Sequence, residues 1–573
     1  MVAQQSDTEC DVLVIGTGAS GLTAAVTAAK GGLKVLIVEK ESEFGGTSAT
    51  SGGMLWIPGS RHSPAVAASL GQNEDSRDAV RTYLAGEVGN YADWTKIDAY
   101  LENGPKMVEF LESETEVKFI GMDYPDYHAD RDGGRTVRSI CTVDYQASKL
   151  GPEIKHLKNQ LTQTLFMGLA IGSSVEMKNF MRAGRSIKAM GFVVKKMLGH
   201  FTDLACYGRS EQMVRGRALI ARLMRTVMDL GIPYWLSSPA EGLLIENGAV
   251  LGAKIKTPKG TVTVRARRGV VLACGGYARD EARRLATYPH RETDANHISP
   301  TPLGNTGDGV RMAENVGGKF STDVMQVGIW MPVSVIPGKT GTDGVWPHLV
   351  DRQKPGFISV TRHGKRFTDE SANYHDYVPD LIRACDGEDE VYGWIVADAR
   401  AVKRWGIGVV RPWPVPKGQH LASGYLKRGN TIAELAAVTG INAAGLQKTI
   451  EQFNANAEKG VDPEFGRGSR IYDRYQGDEE LGGTNICLAP LKQGPFYAVK
   501  VKAGEIGTYA GLRTDANAQV INVEGAPIQG LYAVGNDQAS VFGGSYPGAG
   551  STLGPGMVFG YMAGRHLSGA TAA

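Results

Sequence analysis

Three glycines near the start of the chain have the spacing of a phosphate-binding turn, Gly16-Thr-Gly18-Ala-Ser-Gly21. Gly16 allows a tight turn, Gly18 lets the backbone approach a pyrophosphate, and Gly21 brings the following helix close to the preceding strand. Glu39, eighteen residues after Gly21, is placed to accept hydrogen bonds from a ribose. The pattern therefore predicts a dinucleotide site.

This chemistry needs a strand before the turn and a helix after it, and the sequence predicts both. Residues 11–15 form an apolar run typical of a buried strand, residues 22–30 form an Ala-rich helix, and residues 34–39 form a second strand. The N-terminus of that helix would face the anion. This unit alone does not separate NAD from FAD.

Two further glycine-rich segments suit a cofactor that the backbone approaches closely. Residues 45–53 contain four glycines and four hydroxyl side chains, and residues 543–556 follow a predicted strand and precede an apolar helix at 557–566. Ser551 or Thr552 is a candidate N-cap, and this helix N-terminus can stabilise negative charge on a reduced flavin. We expect the cofactor contacts to come from Gly16, Gly18, Ala19, Ser20, Gly21, Glu39, Lys40, Gly46, Thr47, Ser48, Ser51, Gly52, Gly53, Gly535, Asn536, Ser551, Thr552 and Leu553.

The composition limits the class of protein. Glycine accounts for 75 of the 573 residues, hydrophobic residues for 42%, and no glycine repeat of period three occurs, so collagen is excluded. The 62 basic and 60 acidic residues give a net charge of +2, which argues against a nucleic-acid partner. The six cysteines form no CxxC pair, so we expect no metal site and no disulfide framework. Without a secretory signal or a long apolar run, we expect a cytoplasmic protein.

Further motifs occur in a fixed order along the chain. They are Glu39-Lys40, Phe44-Gly-Gly-Thr-Ser48, residues 51–58, Tyr124-Pro-Asp-Tyr127, residues 364–371 with Tyr374, and Tyr546-Pro-Gly-Ala-Gly550. Over nearly its whole length the chain resembles the fumarate reductase and 3-ketosteroid dehydrogenase superfamily of flavoproteins. Within it the chain most resembles the 3-ketosteroid Δ1-dehydrogenases. The resemblance implies FAD as the cofactor.

The resemblance also implies the architecture. The fold class is α/β, a Rossmann-type FAD-binding domain of the glutathione reductase kind with an inserted α+β substrate-capping domain. The FAD-binding domain would cover residues 1–291 and 503–573, and the cap would cover residues 292–502.

Charged side chains favour one branch of the superfamily. Fumarate reductases hold a dicarboxylate with cations and use an arginine as proton donor, whereas the matching position here is Tyr374. The segment 328–332 lacks their substrate-side histidine, and no Lys or Arg occurs between Thr514 and Gly564. A neutral, apolar ketone would suit such a site better than a dicarboxylate.

The resemblance assigns roles to the tyrosines. The Tyr546 hydroxyl and the Gly550 N–H would hydrogen-bond the ketone oxygen and stabilise an enolate-like transition state. Tyr374 would accept the α-proton as general base, and flavin N5 would take the hydride from the adjacent carbon. A tyrosine is a poor base near neutral pH, so a second hydroxyl is expected as a relay. We favour Tyr127 for this role, with Tyr124 as the alternative.

The leading hypothesis is therefore 1,2-desaturation of a 3-ketosteroid, with an external acceptor taking the electrons later. Three alternatives stay open: the same desaturation of a cyclohexanone-type ketone, a fumarate-type reductase, and a non-catalytic lipid-binding protein. Trp56, Trp330 and Met331 are candidates to line a steroid-sized pocket, although such residues are more often core. We expect His128, His297 and His375 to be ordinary polar histidines.

Residues 149–205 differ from the rest of the chain. They contain nine Lys or Arg against three Asp or Glu, and five of the 17 methionines. Apolar residues recur near helical spacing over residues 176–198, with basic residues between them. The pattern is typical of a helix on an anionic membrane surface, of a mobile apolar lid, or of an amphipathic helix packed on its own domain.

Overall fold

The computed structural model describes residues 8–172, 174–290 and 296–569. Its strands are β1 (Thr8–Ile15), β2 (Val35–Val38), β3 (Met54–Trp56), β4 (Phe119–Gly121), β5 (Ser139–Thr142), β6 (Tyr145–Gln146), β7 (Gln212–Met213), β8 (Tyr234–Trp235), β9 (Ala240–Glu246), β10 (Ala249–Thr257), β11 (Gly260–Leu272), β12 (Phe320–Ser321), β13 (Gly328–Trp330), β14 (Val333–Val335), β15 (Val345–Pro347), β16 (Phe357–Val360), β17 (Tyr392–Ala397), β18 (Lys427–Gly429), β19 (Phe496–Lys502), β20 (Glu505–Thr508), β21 (Gly511–Leu512), β22 (Gln519–Ile521) and β23 (Pro527–Ala533).

The α-helices of the same residues are α1 (Ala19–Lys30), α2 (Gly46–Thr50), α3 (Ser63–Ser69), α4 (Arg77–Val88), α5 (Trp94–Glu114), α6 (Ser174–Arg182), α7 (Ile187–Tyr207), α8 (Arg215–Asp229), α9 (Glu281–Thr287), α10 (Asp308–Glu314), α11 (Tyr374–Ala384), α12 (Ala399–Trp405), α13 (Gly418–Ala422), α14 (Ile432–Thr439), α15 (Ala443–Ala457), α16 (Ile471–Gln476) and α17 (Leu553–Leu567).

The larger sheet carries the glycine turn. Its strand order is β22-β23-β11-β1-β2-β8, with β1 parallel to both β2 and β11 and with β11 parallel to β23. The strands β9 and β10 extend it from β11 as an antiparallel hairpin. The carboxyl ends of β1, β2, β11 and β23 therefore meet at one edge, where ligands bind in open α/β sheets.

The turn after β1 needs glycine for a steric reason. Gly16 has φ +115°, and a Cβ added there would lie 2.2 Å from the Ala273 carbonyl oxygen. A Cβ on Gly21 would lie 2.4 Å from the Gly16 carbonyl oxygen. The turn, the start of α1 and the end of β11 are therefore packed backbone against backbone.

A second sheet, β15-β14-β19-β17-β16 with β18 beside β19, is antiparallel throughout. Alternate residues of β17 point to opposite faces. Ile395 packs with the residues of α11 and α12, and Trp394 packs with those of α14 and α15. Both faces are thus covered by helices, and the predicted α/β fold class is confirmed.

The limits of the two predicted domains stay a prediction. The boundary between residues 291 and 292 lies outside the described residues. The last strand of the second sheet, β19, ends at Lys502, where the predicted cap ends. The helix α10 lies within the predicted range of the cap but packs on the larger sheet.

The basic, methionine-rich segment forms two helices where a single helical stretch was predicted over residues 176–198. The helices α6 and α7 are separated near Gly184, where a Cβ would lie 2.6 Å from the Trp413 ring. An ion pair of 2.8 Å joins Arg182 of α6 to Glu480. Among the described residues, no helix is long and apolar enough to cross a membrane.

Candidate active site

A cavity of about 1290 Å³ lies between the carboxyl edge of the larger sheet and the part of the chain that carries the second sheet. The catalytic candidates that line it are Tyr124, Tyr127, Tyr374, Tyr546 and Gly550. The cofactor candidates line it too, except for Ala19, Gly21 and Ser551. The volume exceeds what a single drug-sized ligand needs, so the cavity has room for a cofactor and a second molecule.

Glu39 stands at the cofactor end of this cavity. Its carboxylate accepts hydrogen bonds from the Thr17 backbone N–H at 3.1 Å, from the Thr17 hydroxyl at 2.5 Å, and from the Glu41 N–H at 3.0 Å. These contacts fix the carboxylate at the end of β2, where a ribose hydroxyl would meet it. Thr17 lies inside the glycine turn and could have been found from that position.

The hydroxyl-rich loop packs against the first turn of α1. The Ser48 hydroxyl accepts the Ala19 N–H at 3.1 Å, and Asn305 donates to the Thr47 hydroxyl at 3.0 Å. Lys40, a predicted cofactor contact, forms an ion pair of 2.5 Å with Asp308 through its ammonium.

The last glycine-rich segment leads into α17 as expected, but without a side-chain cap. Thr552 is the N-cap residue and makes no capping hydrogen bond. The Ser551 side chain bonds the Gly548 backbone and lies buried away from the cavity. The first turn of α17 therefore presents its backbone dipole to the cavity without a capping hydroxyl across it.

The residues at this end of the cavity fit an FAD. The glycine turn leaves clear space at Gly18, where the nearest atom to an added Cβ is the Ser48 hydroxyl at 3.6 Å. Two helix N-termini, those of α1 and α17, border the cavity, and Glu39 supplies the ribose acceptor. The N-terminus of α1 suits a pyrophosphate, Glu39 suits a ribose, and the N-terminus of α17 suits a ring system that carries negative charge.

Three tyrosines from distant segments meet at the other end. Tyr127 stacks on Tyr546 with ring centroids 5.2 Å apart and planes 17° apart. Tyr374 stands edge-on to both, with its centroid 5.7 Å from that of Tyr127 and 5.4 Å from that of Tyr546. Tyr374 is the first residue of α11, and Asn373 caps that helix through the His375 and Asp376 N–H groups. The cap fixes the backbone from which the Tyr374 ring projects.

The tyrosine hydroxyls lie close enough to shift one another's pKa. Burial and the Tyr546 hydroxyl raise the pKa of Tyr374 well above its ordinary value, while a hydrogen bond from Tyr127 lowers it. Burial also raises the pKa of Tyr546, which hydrogen bonds from Tyr374, Thr552 and the Gly550 N–H lower. The Tyr546 hydroxyl and the Gly550 N–H therefore lie close to each other. Gly550 has φ +99°, and its Cβ would lie 2.5 Å from the Leu55 backbone.

Tyr124 belongs to a second layer of rings. Its ring centroid lies 4.9 Å from that of Tyr475 and 6.2 Å from that of Tyr472, and its hydroxyl accepts a hydrogen bond of 3.1 Å from Gln476. Tyr472 in turn lies 4.9 Å from Tyr127. Sequence reasoning missed Tyr472 and Gln476, which share no local motif with the other tyrosines.

A partly buried ionic network links the three segments that carry the tyrosines. His128, next to Tyr127, lies 2.9 Å from Glu87 through Nδ1 and 2.7 Å from Asp376 through Nε2. Glu87 also accepts the hydroxyl of Ser545, next to Tyr546, at 2.9 Å. A residue near each tyrosine in sequence therefore belongs to one cluster: His128 for Tyr127, Asp376 for Tyr374 and Ser545 for Tyr546.

Protonation is well defined in this network. Burial lowers the pKa of His128, but hydrogen bonds to Asp376 and Glu87 raise it to about 10. Burial raises the pKa of Asp376, but the hydrogen bond from His128 lowers it to about 2. His128 is thus an imidazolium between two carboxylates. The network positions the tyrosine segments and lies behind the cavity wall, since neither His128 nor Asp376 lines it.

Two sequence-based candidates for pocket residues are core residues instead. Trp56 is fully buried with its indole N–H on Asp126 at 2.8 Å, and Trp330 is fully buried with its indole N–H on Gln326 at 2.7 Å. Met331 does line the cavity. His375 is a neutral structural residue, because burial lowers its pKa to about 4 and its Nδ1 accepts the Trp330 backbone N–H. Among the described residues, no cluster of metal-ligating side chains occurs.

Comparison with known proteins identifies the family of this chain. A family model for an FAD binding domain matches residues 11–553. A 4-oxocyclohex-2-ene-1-carboxylate 5-dehydrogenase of Sinomonas cyclohexanicum is 39% identical, covering 99% of this chain and 95% of its own length. A 3-oxosteroid 1-dehydrogenase of Mycobacterium tuberculosis is 34% identical, covering 98% of both chains. The 3-ketosteroid Δ1-dehydrogenase of Sterolibacterium denitrificans, solved with 1,4-androstadiene-3,17-dione, is 34% identical with a TM-score of 0.90, covering 98% of this chain and 100% of its own.

Proposed function

The chain belongs to the FAD binding domain family, and we propose that this FAD-dependent oxidoreductase desaturates a 3-oxo steroid between carbons 1 and 2. The expectation of FAD as the cofactor is confirmed by the family. The observation that carries the proposal is the meeting of Tyr127, Tyr374 and Tyr546 beside the Gly550 N–H in the cavity.

The proposed roles follow from the placement of the tyrosines in the cavity. The Tyr546 hydroxyl and the Gly550 N–H donate to the ketone oxygen, which acidifies the α-carbon. Because burial keeps Tyr374 neutral beforehand, Tyr374 takes the α-proton as its own hydroxyl proton passes to the Tyr127 oxygen. Tyr127, the relay, then releases its proton to water in the cavity. Bound FAD supplies the acceptor for the hydride that leaves the neighbouring carbon. Proton and hydride leave adjacent carbons, a double bond forms, and an external acceptor later removes the two electrons.

Anaerobic bleaching of the flavin tests this function. The FAD-loaded protein is mixed with androst-4-ene-3,17-dione, with cholest-4-en-3-one and with cyclohexanone, and the absorbance of oxidised flavin is followed. We expect rapid bleaching by the steroids and recovery of a 1,4-diene-3-one product. If no ketone bleaches the flavin, the proposed function is wrong.

The same chemistry on a smaller ring is a second candidate. The Sinomonas enzyme named for a 4-oxocyclohexene carboxylate is more similar to this chain than the steroid enzymes described above. Adding 4-oxocyclohexanecarboxylate to the bleaching series separates the candidates. Bleaching by this acid with no response to either steroid would replace the steroid by a monocyclic substrate.

We further propose that α7 contacts a membrane surface. Its outer face exposes the apolar side chains Ile187 (95%), Met190 (36%), Val194 (48%), Leu198 (62%) and Phe201 (44%). These residues recur every three or four positions with exposed lysines beside them, as in helices that lie in a lipid interface. The preceding helix α6 contributes residues to the cavity wall, so a poorly soluble ketone would have a short route inward.

Sedimentation with anionic vesicles tests the contact. Replacing Leu198 and Phe201 by serine should abolish binding to vesicles of phosphatidylglycerol and phosphatidylcholine, because it removes the apolar face. Val438→Ser, at an equally exposed position on α14, is the control and should sediment like the parent. Equal sedimentation of all three proteins would contradict the proposal.

A further inference from the structure

Lys354 is a cation on the cavity wall that the proposed mechanism does not use. Its ammonium donates to the Gln476 backbone carbonyl at 2.5 Å and lies 5.3 Å from the centre of the Trp405 ring. Within the described ranges no carboxylate lies at ion-pairing distance from it. Lys354 thus lines the cavity, and its ammonium has one neutral acceptor and unused hydrogen-bonding capacity.

The charges around Lys354 do not neutralise it. The carboxylate that acts most strongly on Lys354 is that of Asp478, which is already paired with Arg404. Lys178 of α6 adds a second positive charge and also lines the cavity. Burial lowers the pKa of Lys354 to about 8, with Lys178 acting in the same direction and Asp478 opposing it. Lys354 therefore keeps its positive charge near neutral pH. Burial of this charge costs free energy, and a bound anion would offset that cost.

Lys354 stands at a distance from the reacting end of the cavity. Gln476, whose carbonyl it contacts, donates its side-chain amide to the Tyr124 hydroxyl at 3.1 Å. Tyr124 and Tyr472 then separate it from Tyr127 and the tyrosine cluster. A ketone held at the cluster would present to Lys354 only a group on the remote part of its ring system.

From these observations, and resting on the proposed function, we propose that Lys354 binds a carboxylate at the end of the substrate remote from the ketone. The preferred substrate class is then an oxo acid, either a steroid with an acidic side chain or a smaller cyclic oxo acid. A charge-assisted hydrogen bond in a site shielded from water discriminates strongly against a neutral analogue.

Matched acid and ester pairs test the proposal on the FAD-loaded, full-length protein. The first pair is 3-oxochol-4-en-24-oic acid and its methyl ester, and the second is 4-oxocyclohexanecarboxylic acid and its methyl ester. Flavin bleaching gives kcat and KM for each compound, and perturbation of the flavin spectrum gives binding without turnover. The parent should prefer the acid in at least one pair.

Lys354→Met should weaken the use of that acid about 10- to 100-fold, mainly in KM, and leave the ester unchanged. Lys354→Arg should keep part of the preference, because it keeps the charge. Lys403→Met removes a lysine that lies over Trp413 in the same way, 5.8 Å from the ring, but that does not line the cavity. It should leave acid and ester unchanged.

Two results would overturn the inference: no acid preference in the parent, or an equal loss for acid and ester in Lys354→Met. A different pattern addresses the proposed function. If the acid binds through Lys354 but no ketone bleaches the flavin, the subsite stands and the dehydrogenase function falls.

Discussion

The two ends of the cavity are built in different ways. At the cofactor end, backbone contacts backbone where Gly16 meets Ala273 and where Gly21 meets Gly16. At the ketone end, side chains from three distant segments touch one another, and an ionic network around His128 holds them. We therefore expect the first end to fail when atoms are added and the second when polar atoms are removed.

The largest effect should come from adding one methyl group at the cofactor end. In Gly21→Ala the new Cβ would meet the Gly16 carbonyl oxygen at 2.4 Å, between two backbone segments that cannot move apart. We expect a loss of at least about 3 kcal/mol of folding free energy, seen as little soluble protein or a much lower melting temperature.

Gly18→Ala is the matched control for that prediction. Its Cβ would have free space in the protein but would stand where a pyrophosphate approaches. We expect a normal melting temperature without FAD and weaker FAD binding by fluorescence titration. If Gly21→Ala folded as well as Gly18→Ala, the backbone packing described for this end would be wrong.

The next largest effect should come from removing one oxygen at the ketone end. Tyr374→Phe should bind FAD normally, because the side chain contributes no contact to the glycine turn, but lose about 10³-fold in flavin bleaching by a ketone. Tyr377→Phe removes a buried hydroxyl from the same helix, one that bonds Ser359 away from the cavity. Its bleaching rate should stay near that of the parent, and a near-normal rate in Tyr374→Phe would refute the proposed base.

The same contrast explains what the sequence could predict. The turn at Gly16, the strands around it and the acid at Glu39 are local patterns, because each element follows from neighbouring residues. The contacts of Tyr124 with Tyr472 and Gln476 join residues about 350 positions apart, and no short motif encodes them. The pairing of Lys40 with Asp308 was missed for the same reason.

Tertiary packing also decides where local patterns stop. The apolar spacing over residues 176–198 suits one continuous helix, but the Trp413 ring packs against Gly184 and the chain turns there. The apolar residues then divide by environment, with Met177 and Met181 on the cavity wall and Ile187 and Val194 in solvent. Periodicity identified an amphipathic segment, whereas the partner of each face depends on residues far away in sequence.

The smallest effect we predict concerns the ionic network that holds the ketone end. His128→Gln removes a partly buried imidazolium between Glu87 and Asp376 and should cost about 1 to 2 kcal/mol of folding free energy at pH 6, between the values typical of exposed and of fully buried ion pairs. His363→Gln removes an exposed histidine from Glu388 and should cost less than about 0.5 kcal/mol. Melting temperatures of the FAD-loaded proteins compare the two.

The pH dependence of that difference has a definite sign. The pKa of His128 is raised from an ordinary value near 6.5 to about 10, so its stabilisation is complete below about pH 6.5 and is lost as the pH rises towards 10. The pKa of Asp376 is lowered to about 2, so its contribution is lost only in strong acid. The gap in melting temperature between the parent and His128→Gln should therefore narrow steadily from pH 6 to pH 10. A gap that stayed constant over this range would mean that His128 acts by packing alone, and the ketone end would then resemble the cofactor end in being held by shape.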